Sequence, residues 1–269
     1  MVKNYLLIAL RNFLRNRNYT LINVLGLCIG TTSCILIFLL ISNELSFDKF
    51  HSRYDQLYRV VMETRSSSGI EYSSTTPYPF VKAFRNDFSE IPLVTQVHHQ
   101  KDVLMKAGAD KQHISDILFA DSLFFDVFDF VVLSGNPAAD LGEPGKVFLT
   151  KSLADKILKG SDGGTIKLDN KLELDVAGIV ADPPANSHIS FSMIVSMPSL
   201  TAEYVGFPLD RWGVTISGFM YMVLPDPMNP ASIAQRFPEF IAKYYSQEEA
   251  DWKSYHLQAL KDIHFDPRY

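Results

Sequence analysis

The chain of 269 residues has two cysteines, Cys28 and Cys34, and both fall in one apolar run. Nothing outside that run can form a disulfide, so the rest of the chain must be held by packing, and cysteine usage says nothing of redox compartment. Thr20 to Ser42, TLINVLGLCIGTTSCILIFLLIS, lacks any charged side chain. The stretch before it lacks any acid. A phosphate-binding loop is missing too: Gly145-Lys146 has Asp140 where the first glycine belongs and Val147 where Ser or Thr belongs, which excludes ATP binding by that route. There is no HExxH, no Gly-x-Ser-x-Gly elbow and no carboxylate pair that stands out, so catalytic, cofactor-binding and metal residues are all expected to be none. The seven histidines do not alter this. His98 and His99 are adjacent on an expected strand and point to opposite faces, and satisfied or surface histidines are the expectation throughout.

The uncharged run would reach about 34 Å as a helix, enough for a hydrocarbon core of about 30 Å. A cleaved signal has a shorter apolar core and a small-x-small end. Here the run closes on Leu39-Leu40-Ile41-Ser42-Asn43-Glu44, which reads as a retained anchor. Lys3, Arg11, Arg15 and Arg17 precede it, and Glu44 and Asp48 follow, so the positive-inside rule places the N-terminus in the cytoplasm. The part beyond residue 42 then holds 21 basic and 30 acidic residues, a balance that argues against nucleic acid as a partner. The expected organisation is 1–19 a cytoplasmic amphipathic helix, 20–42 a transmembrane helix and 43–269 an extracytoplasmic domain.

In the first segment Leu6, Leu10, Phe13 and Leu14 share one face and Asn4, Arg11 and Arg15 another, as in a helix lying on the inner membrane surface against anionic lipid. A plain cytoplasmic extension of the membrane helix is the alternative. Gly26 and Gly30 form a GxxxG, which suits close packing of a second helix, although glycine is common in membrane helices in general.

Beyond the membrane, the first residues of the stretch from Tyr54 are read as continuing the helix, and Leu57 to Glu63 as a strand. Strands are expected at Ile70–Thr75, Leu93–His99, Asp129–Leu133, Val147–Thr150, Ile189–Val195, Gly218–Leu224 and Tyr255–Leu260. A hairpin is expected from Val103–Ala107 and Gln112–Ala120 around Gly108-Ala109-Asp110, and a second from Thr165–Leu168 and Leu172–Val180 around Asp169-Asn170. Helices are expected from Pro77 and Pro79 through Phe88, over Ser122–Phe128, over Lys151–Lys159 and from Pro230 to Tyr245. Ser134 to Gly145 reads as a loop and Ala181 to His188 as a rigid turn. The irregular alternation implies an α+β fold. Asp129, Asp182 and Asp262 border elements, where aspartates serve as caps. The aromatic groups Phe124, Phe125, Phe128, Phe130 and Tyr244, Tyr245, Trp252, Tyr255 are expected in the core.

The chain resembles the N-terminal part of a MacB/FtsX-type ABC-transporter permease. The resemblance runs from Asn12-Phe13-Leu14-Arg15-Asn16-Arg17 into the glycine-bearing apolar run. It continues through Phe47-Asp48-Lys49-Phe50-His51, Tyr58-Arg59-Val60 and Thr150-Lys151-Ser152-Leu153-Ala154. Val176-Ala177-Gly178-Ile179-Val180, Asp182-Pro183-Pro184-Ala185-Asn186-Ser187-His188, Leu257-Gln258-Ala259-Leu260 and Asp262-Ile263-His264 complete it. It implies a two-lobed outer domain, a porter-like βαβ lobe with a more β-rich lobe inserted into it. It implies a non-catalytic permease subunit that couples ATP hydrolysis by a separate cytoplasmic ABC ATPase to substrate handling or efflux outside the inner membrane. A homodimer or paired permease, and lipid contact, are the further partners implied. Such permeases carry at least three more membrane helices, so this chain reads as either part of a permease or a stand-alone anchored domain. The other readings are an anchored sensor or interaction module without transport activity, and an anchored extracytoplasmic enzyme, which would need a cleft with convergent titratable groups.

Overall fold

The computed structural model describes residues 2–108, 110–158, 164–213 and 218–269. It divides into two units, Met1–Phe47 and Asp48–Tyr269.

The first unit is two helices, α1 (Val2–Arg15) and α2 (Arg17–Glu44). The side chains of Leu6, Leu10, Phe13 and Leu14, the expected apolar face of α1, lie outside the described set. No residue of α2 is buried. Two of its hydroxyls bond back to the helix, as suits a lipid environment. Thr31 Oγ1 donates to Leu27 O at 2.8 Å and Ser33 Oγ to Ile29 O at 2.9 Å. The helix stops at Glu44. Residues 45–56 are turns, so the expected helical continuation at Tyr54 does not occur; Asp48 takes a left-handed φ of 58° and breaks the helix well before it.

The second unit is built on thirteen strands in one sheet. In chain order they are β1 (Leu57–Ser66), β2 (Gly69–Ser73), β3 (Val94–Gln100), β4 (Val103–Ala107), β5 (Asp110–Ile114), β6 (Ile117–Ala120), β7 (Val132–Ser134), β8 (Lys146–Thr150), β9 (Thr165–Leu168), β10 (Leu172–Val180), β11 (Met193–Ser196), β12 (Gly218–Val223) and β13 (Lys253–Ala259). The helices are α3 (Phe80–Asp87), α4 (Phe124–Val127), α5 (Pro137–Asp140), α6 (Lys151–Ile157), α7 (Ala202–Val205), α8 (Pro230–Ala234), α9 (Phe237–Tyr244), α10 (Gln247–Trp252) and α11 (Leu260–Ile263). Strand order is β13-β1-β12-β3-β6-β11-β8-β10-β9-β4-β5, with β2 on β1 and β7 on β10.

The order has a simple reading. β1-α3-β3 and β12-α9-β13 are two βαβ units whose strands interleave as β13-β1-β12-β3, all antiparallel. That is the βαββαβ pattern of a ferredoxin-like lobe. Everything from β4 to β11 is inserted between its second and third strands and joins it through β3 and β6. The inserted part mixes parallel pairs (β6 with β11, β8 with β10) and antiparallel ones. A mixed α+β fold follows, as the composition of elements implies.

Three apolar clusters hold it. One side of the βαββαβ sheet packs Val60, Met62, Met220 and Met222 under α3 and α9, where Phe84 stacks on Phe88 at 4.2 Å and Phe80 meets Phe240 at 5.0 Å. In the inserted part Met105, Phe119, Leu149, Leu168 and Val195 pack together. The third cluster takes residues from both, with Phe124, Phe128, Phe148 and Phe191 beside Leu57 and Tyr221. Most of the noted aromatics lie in these cores; Trp252 is half exposed.

Three expected elements are broken. Gln112–Ala120 is two strands, because Asp116 adopts φ 61° and sends β5 to β4 and β6 to β3. Pro230–Tyr245 is two helices, with Pro238 in the first turn of the second. Ile189–Val195 is strand only from Met193. The Asp169-Asn170 hairpin forms, with φ 48° and 58° at the two turn residues, the left-handed pair of a type I′ turn. Ala109 of the other turn lies outside the described residues.

Candidate functional site

The second unit begins at a buried carboxylate. Asp48 is 1 % exposed. Its N–H donates to Asn186 O at 2.8 Å, and its Oδ1 accepts the His188 N–H at 3.1 Å and the Ser187 hydroxyl at 3.4 Å. The turn at 181–188 is thereby bound to the first residue of the second unit. His188 Nδ1 stands 2.9 Å from the same Oδ1, close enough for an ion pair but off the line of a hydrogen bond. Burial pushes the Asp48 carboxyl up, and the His188 ring and backbone beside it outweigh that and hold it below the usual range.

From His188 the polar contacts cross the sheet. Its Nε2 lies 3.2 Å from the Tyr221 hydroxyl on β12. Tyr221 is the direct cross-strand partner of Arg59 on β1, and Arg59 of Gln258 on β13. Direct partners share one face of the sheet, so the three side chains form a row. Arg59 donates from Nε at 3.1 Å and Nη2 at 2.6 Å to Gln258 Oε1. Gln258 Nε2 donates to Asp266 Oδ2 at 3.2 Å, and Asp266 accepts two bonds from Arg268 at 2.9 Å. Arg59, Tyr221 and Gln258 are buried. A polar row, buried at Asp48, Tyr221, Arg59 and Gln258 and half-buried at His188 and Asp266, thus runs from the start of the domain to near its far end. Breaking such a row leaves desolvated polar groups, at about 1–3 kcal/mol each.

His51 sits beside Asp48 in an aromatic cage of Phe50, Phe128 and Phe130, with ring centroids 4.0 to 5.4 Å away. Its Nδ1 accepts the Asp129 N–H at 3.0 Å. Burial drops its pKa to about 4, against the pull of Asp48 and Asp129, so it is a neutral imidazole at pH 7. Asp129 in turn accepts the Ser52 N–H at 2.6 Å.

The other stretches behind the resemblance have structural roles nearby. Asp182 accepts the Ser152 N–H at 3.2 Å and its hydroxyl at 3.0 Å, capping α6 from the turn that carries His188. Gly178 admits the Ser134 carbonyl of β7, which a Cβ would meet at 2.2 Å. Asp262 borders α11, where its backbone carbonyl accepts the Phe265 and Asp266 N–H groups. Of the expected histidines, His98 is buried against Phe119 and His99 bonds to Asp116 at 3.1 Å on the opposite face. Among the described residues no group of three His, Cys, Asp or Glu could hold a metal. Gly26 and Gly30 have nothing of this chain within 4 Å of where a Cβ would stand.

Residues 20–240 match the family of the MacB-like periplasmic core domain. The chain belongs to that family. Solved structures share the fold. A domain of a protein described as a permease, from Porphyromonas gingivalis, aligns with TM-score 0.66 at 17% identity, over 78% of this chain and 91% of that one. The periplasmic region of MacB from Actinobacillus actinomycetemcomitans aligns with TM-score 0.54 at 14% identity, over 78% and 91%. The extracellular domain of the ABC-type transporter YknZ from Gram-positive bacteria aligns with TM-score 0.53 at 11% identity, over 75% and 99%. No curated protein matches the sequence. As a MacB-like periplasmic core domain of the ABC-transporter permease family behind one apolar helix, Asp48–Tyr269 is an extracytoplasmic domain anchored to a membrane.

Single-residue reasoning missed the polar row. Asp48, Arg59, His188 and Gln258 are far apart in sequence, and none has a motif of its own chemistry. The available signal was at Arg59 and Gln258, single polar residues between apolar neighbours in strand-like stretches.

Proposed function

We propose that this MacB-like chain is a non-catalytic part of an ABC permease that couples ATP hydrolysis by a cytoplasmic partner ATPase to substrate handling or efflux outside the inner membrane. The observation that carries the reading is the polar row from Asp48 to Asp266. It joins the first residue after the helical unit to the last strand of the domain, so a displacement arriving at Asp48 moves β1, β12 and β13 together. No step in that role needs a reactive group.

The basic residues before α2 support a cytoplasmic N-terminus, and α1 would then rest on anionic lipid. Gly26 and Gly30 support packing of α2 on a second permease helix, in a homodimer or a paired permease. The test of coupling is purification of the tagged protein from its native membrane in mild detergent. A P-loop ATPase recovered in stoichiometric amount supports the reading, and its repeated absence sinks it. The helix pairing has a separate test. Cys34 lies four residues beyond Gly30, about 40° round the helix from it, whereas Cys28 lies on the side away from both glycines. Mild oxidation in membranes should give a crosslinked dimer that survives Cys28→Ser and vanishes in Cys34→Ser. No crosslink in either case counts against pairing through Gly26 and Gly30.

A further inference from the structure

The polar row borders a cavity. It has a volume of about 150 Å³ and is lined by Arg59, His99, His188, Ser190, Phe219 and Tyr221, among others. His99 and Phe219 also line a second, outer cavity of about 540 Å³, with Lys101 at its edge and Tyr204, Val205 and Phe207 on its walls. Tyr204 packs on Phe119, on the His98 face of β3, so the outer cavity lies largely on the other face of the strand from His99.

Arg59 is 6 % exposed, and among the described residues no carboxylate lies within 4 Å of its guanidinium. Its bonded partner Gln258 and its cross-strand neighbour Tyr221 are both neutral. Asp266 lies behind Gln258 and Asp48 behind His188, each one side chain removed. A guanidinium taken out of water without a direct counter-ion is an unfavourable arrangement, and an anion beside it relieves the cost. The cavity is large enough for more than one water. Hydrogen-bonding groups converge on it from Arg59, His99, His188, Tyr221 and the exposed Ser190 at its rim. Val97, Leu118, Phe219 and Ile263 supply its apolar wall.

We infer that the cavity beside Arg59 binds a small organic acid, its carboxylate or phosphate at Arg59 and its apolar part along Phe219. This inference stands independently of an ATPase partner, since it concerns the domain's own surface.

The test is calorimetric titration of the full chain in zwitterionic lipid nanodiscs. The probes are benzoate, phenyl phosphate and, as the uncharged control, benzyl alcohol. Saturable one-to-one binding of benzoate or phenyl phosphate is expected, with benzyl alcohol at least about tenfold weaker because it lacks the charge. The stronger of the two acids identifies the headgroup. Ser190→Trp, at an exposed position, should close the cavity and abolish binding while leaving the fold intact. Arg59→Lys keeps the charge but loses the planar fork, and should weaken binding about tenfold. Absence of saturable binding by either acid, equal binding of the alcohol, or unchanged binding by a folded Ser190→Trp protein would each overturn the inference.

Discussion

The two parts of the sheet hold together differently. In the βαββαβ part, four antiparallel strands are covered on one side by α3 and α9 through a cluster of phenylalanines and carry the polar row on the other. The inserted part is held by smaller aliphatic residues, parallel pairs and close backbone approaches such as Ser134 to Gly178. The first follows α2 through β1 and also holds the last strand, β13. The second meets it at one strand pair, β3 with β6, and through the shared cluster around Phe128. Under the proposed coupling, the first part would receive displacement and the second would present surface.

The comparison can be broken most strongly at Phe84, fully buried between Phe88 and Phe240. Phe84→Ala should cost about 3–5 kcal/mol in chemical denaturation. Hydrogen exchange should show β1, β12 and β13 losing protection ahead of β8 and β10. Uniform loss across all strands would erase the distinction between the parts.

Acid should act at the junction. The His51 pKa is lowered in the fold to about 4 from 6.5, so the unfolded chain takes up the proton first. Stability is then full above pH 6.5 and falls as the pH drops toward 4, by about 3 kcal/mol. Asp48, also lowered, adds a loss only below its ordinary carboxylate range. Denaturation midpoints across this window should flatten between pH 6.5 and 4 in His51→Asn, and a slope that persists unchanged would show that another group is responsible.

In the inserted part Gly178→Ala should destabilise by about 1–3 kcal/mol, since the β7 carbonyl must move away. Here protection of β7 and β10 should fall first, the reverse of Phe84→Ala. The smallest effect is at Asp182, whose cap on α6 is solvent-exposed. Asp182→Ala should cost about 1 kcal/mol, and a midpoint shift near zero would show that the cap is redundant.

Much of the fold was legible because strands and helices here follow local pattern. The uncharged run from Thr20 to Ser42 shows as the helix with no buried residue, and Asp169-Asn170 forms its turn as such a pair should. What was not legible depended on backbone conformation or on distance in sequence. Nothing around Asp116 announces a left-handed residue in the middle of an apolar alternation. The row from Asp48 through His188, Tyr221, Arg59 and Gln258 draws on five separated segments, and only the strand register brings them together. Single residues such as Arg59 look like ordinary exposed charges until the sheet order is known.

The central claim is that the polar row makes β1 and β13 respond as one. The direct measurement is hydrogen exchange of the membrane-embedded protein with the proposed partner ATPase, with and without ATP. The account predicts that β1 and β13 change protection together in the wild type, and that Gln258→Leu leaves the change in β1 while removing it from β13. A nucleotide response confined to other strands, or one that Gln258→Leu leaves unaltered in β13, would contradict it.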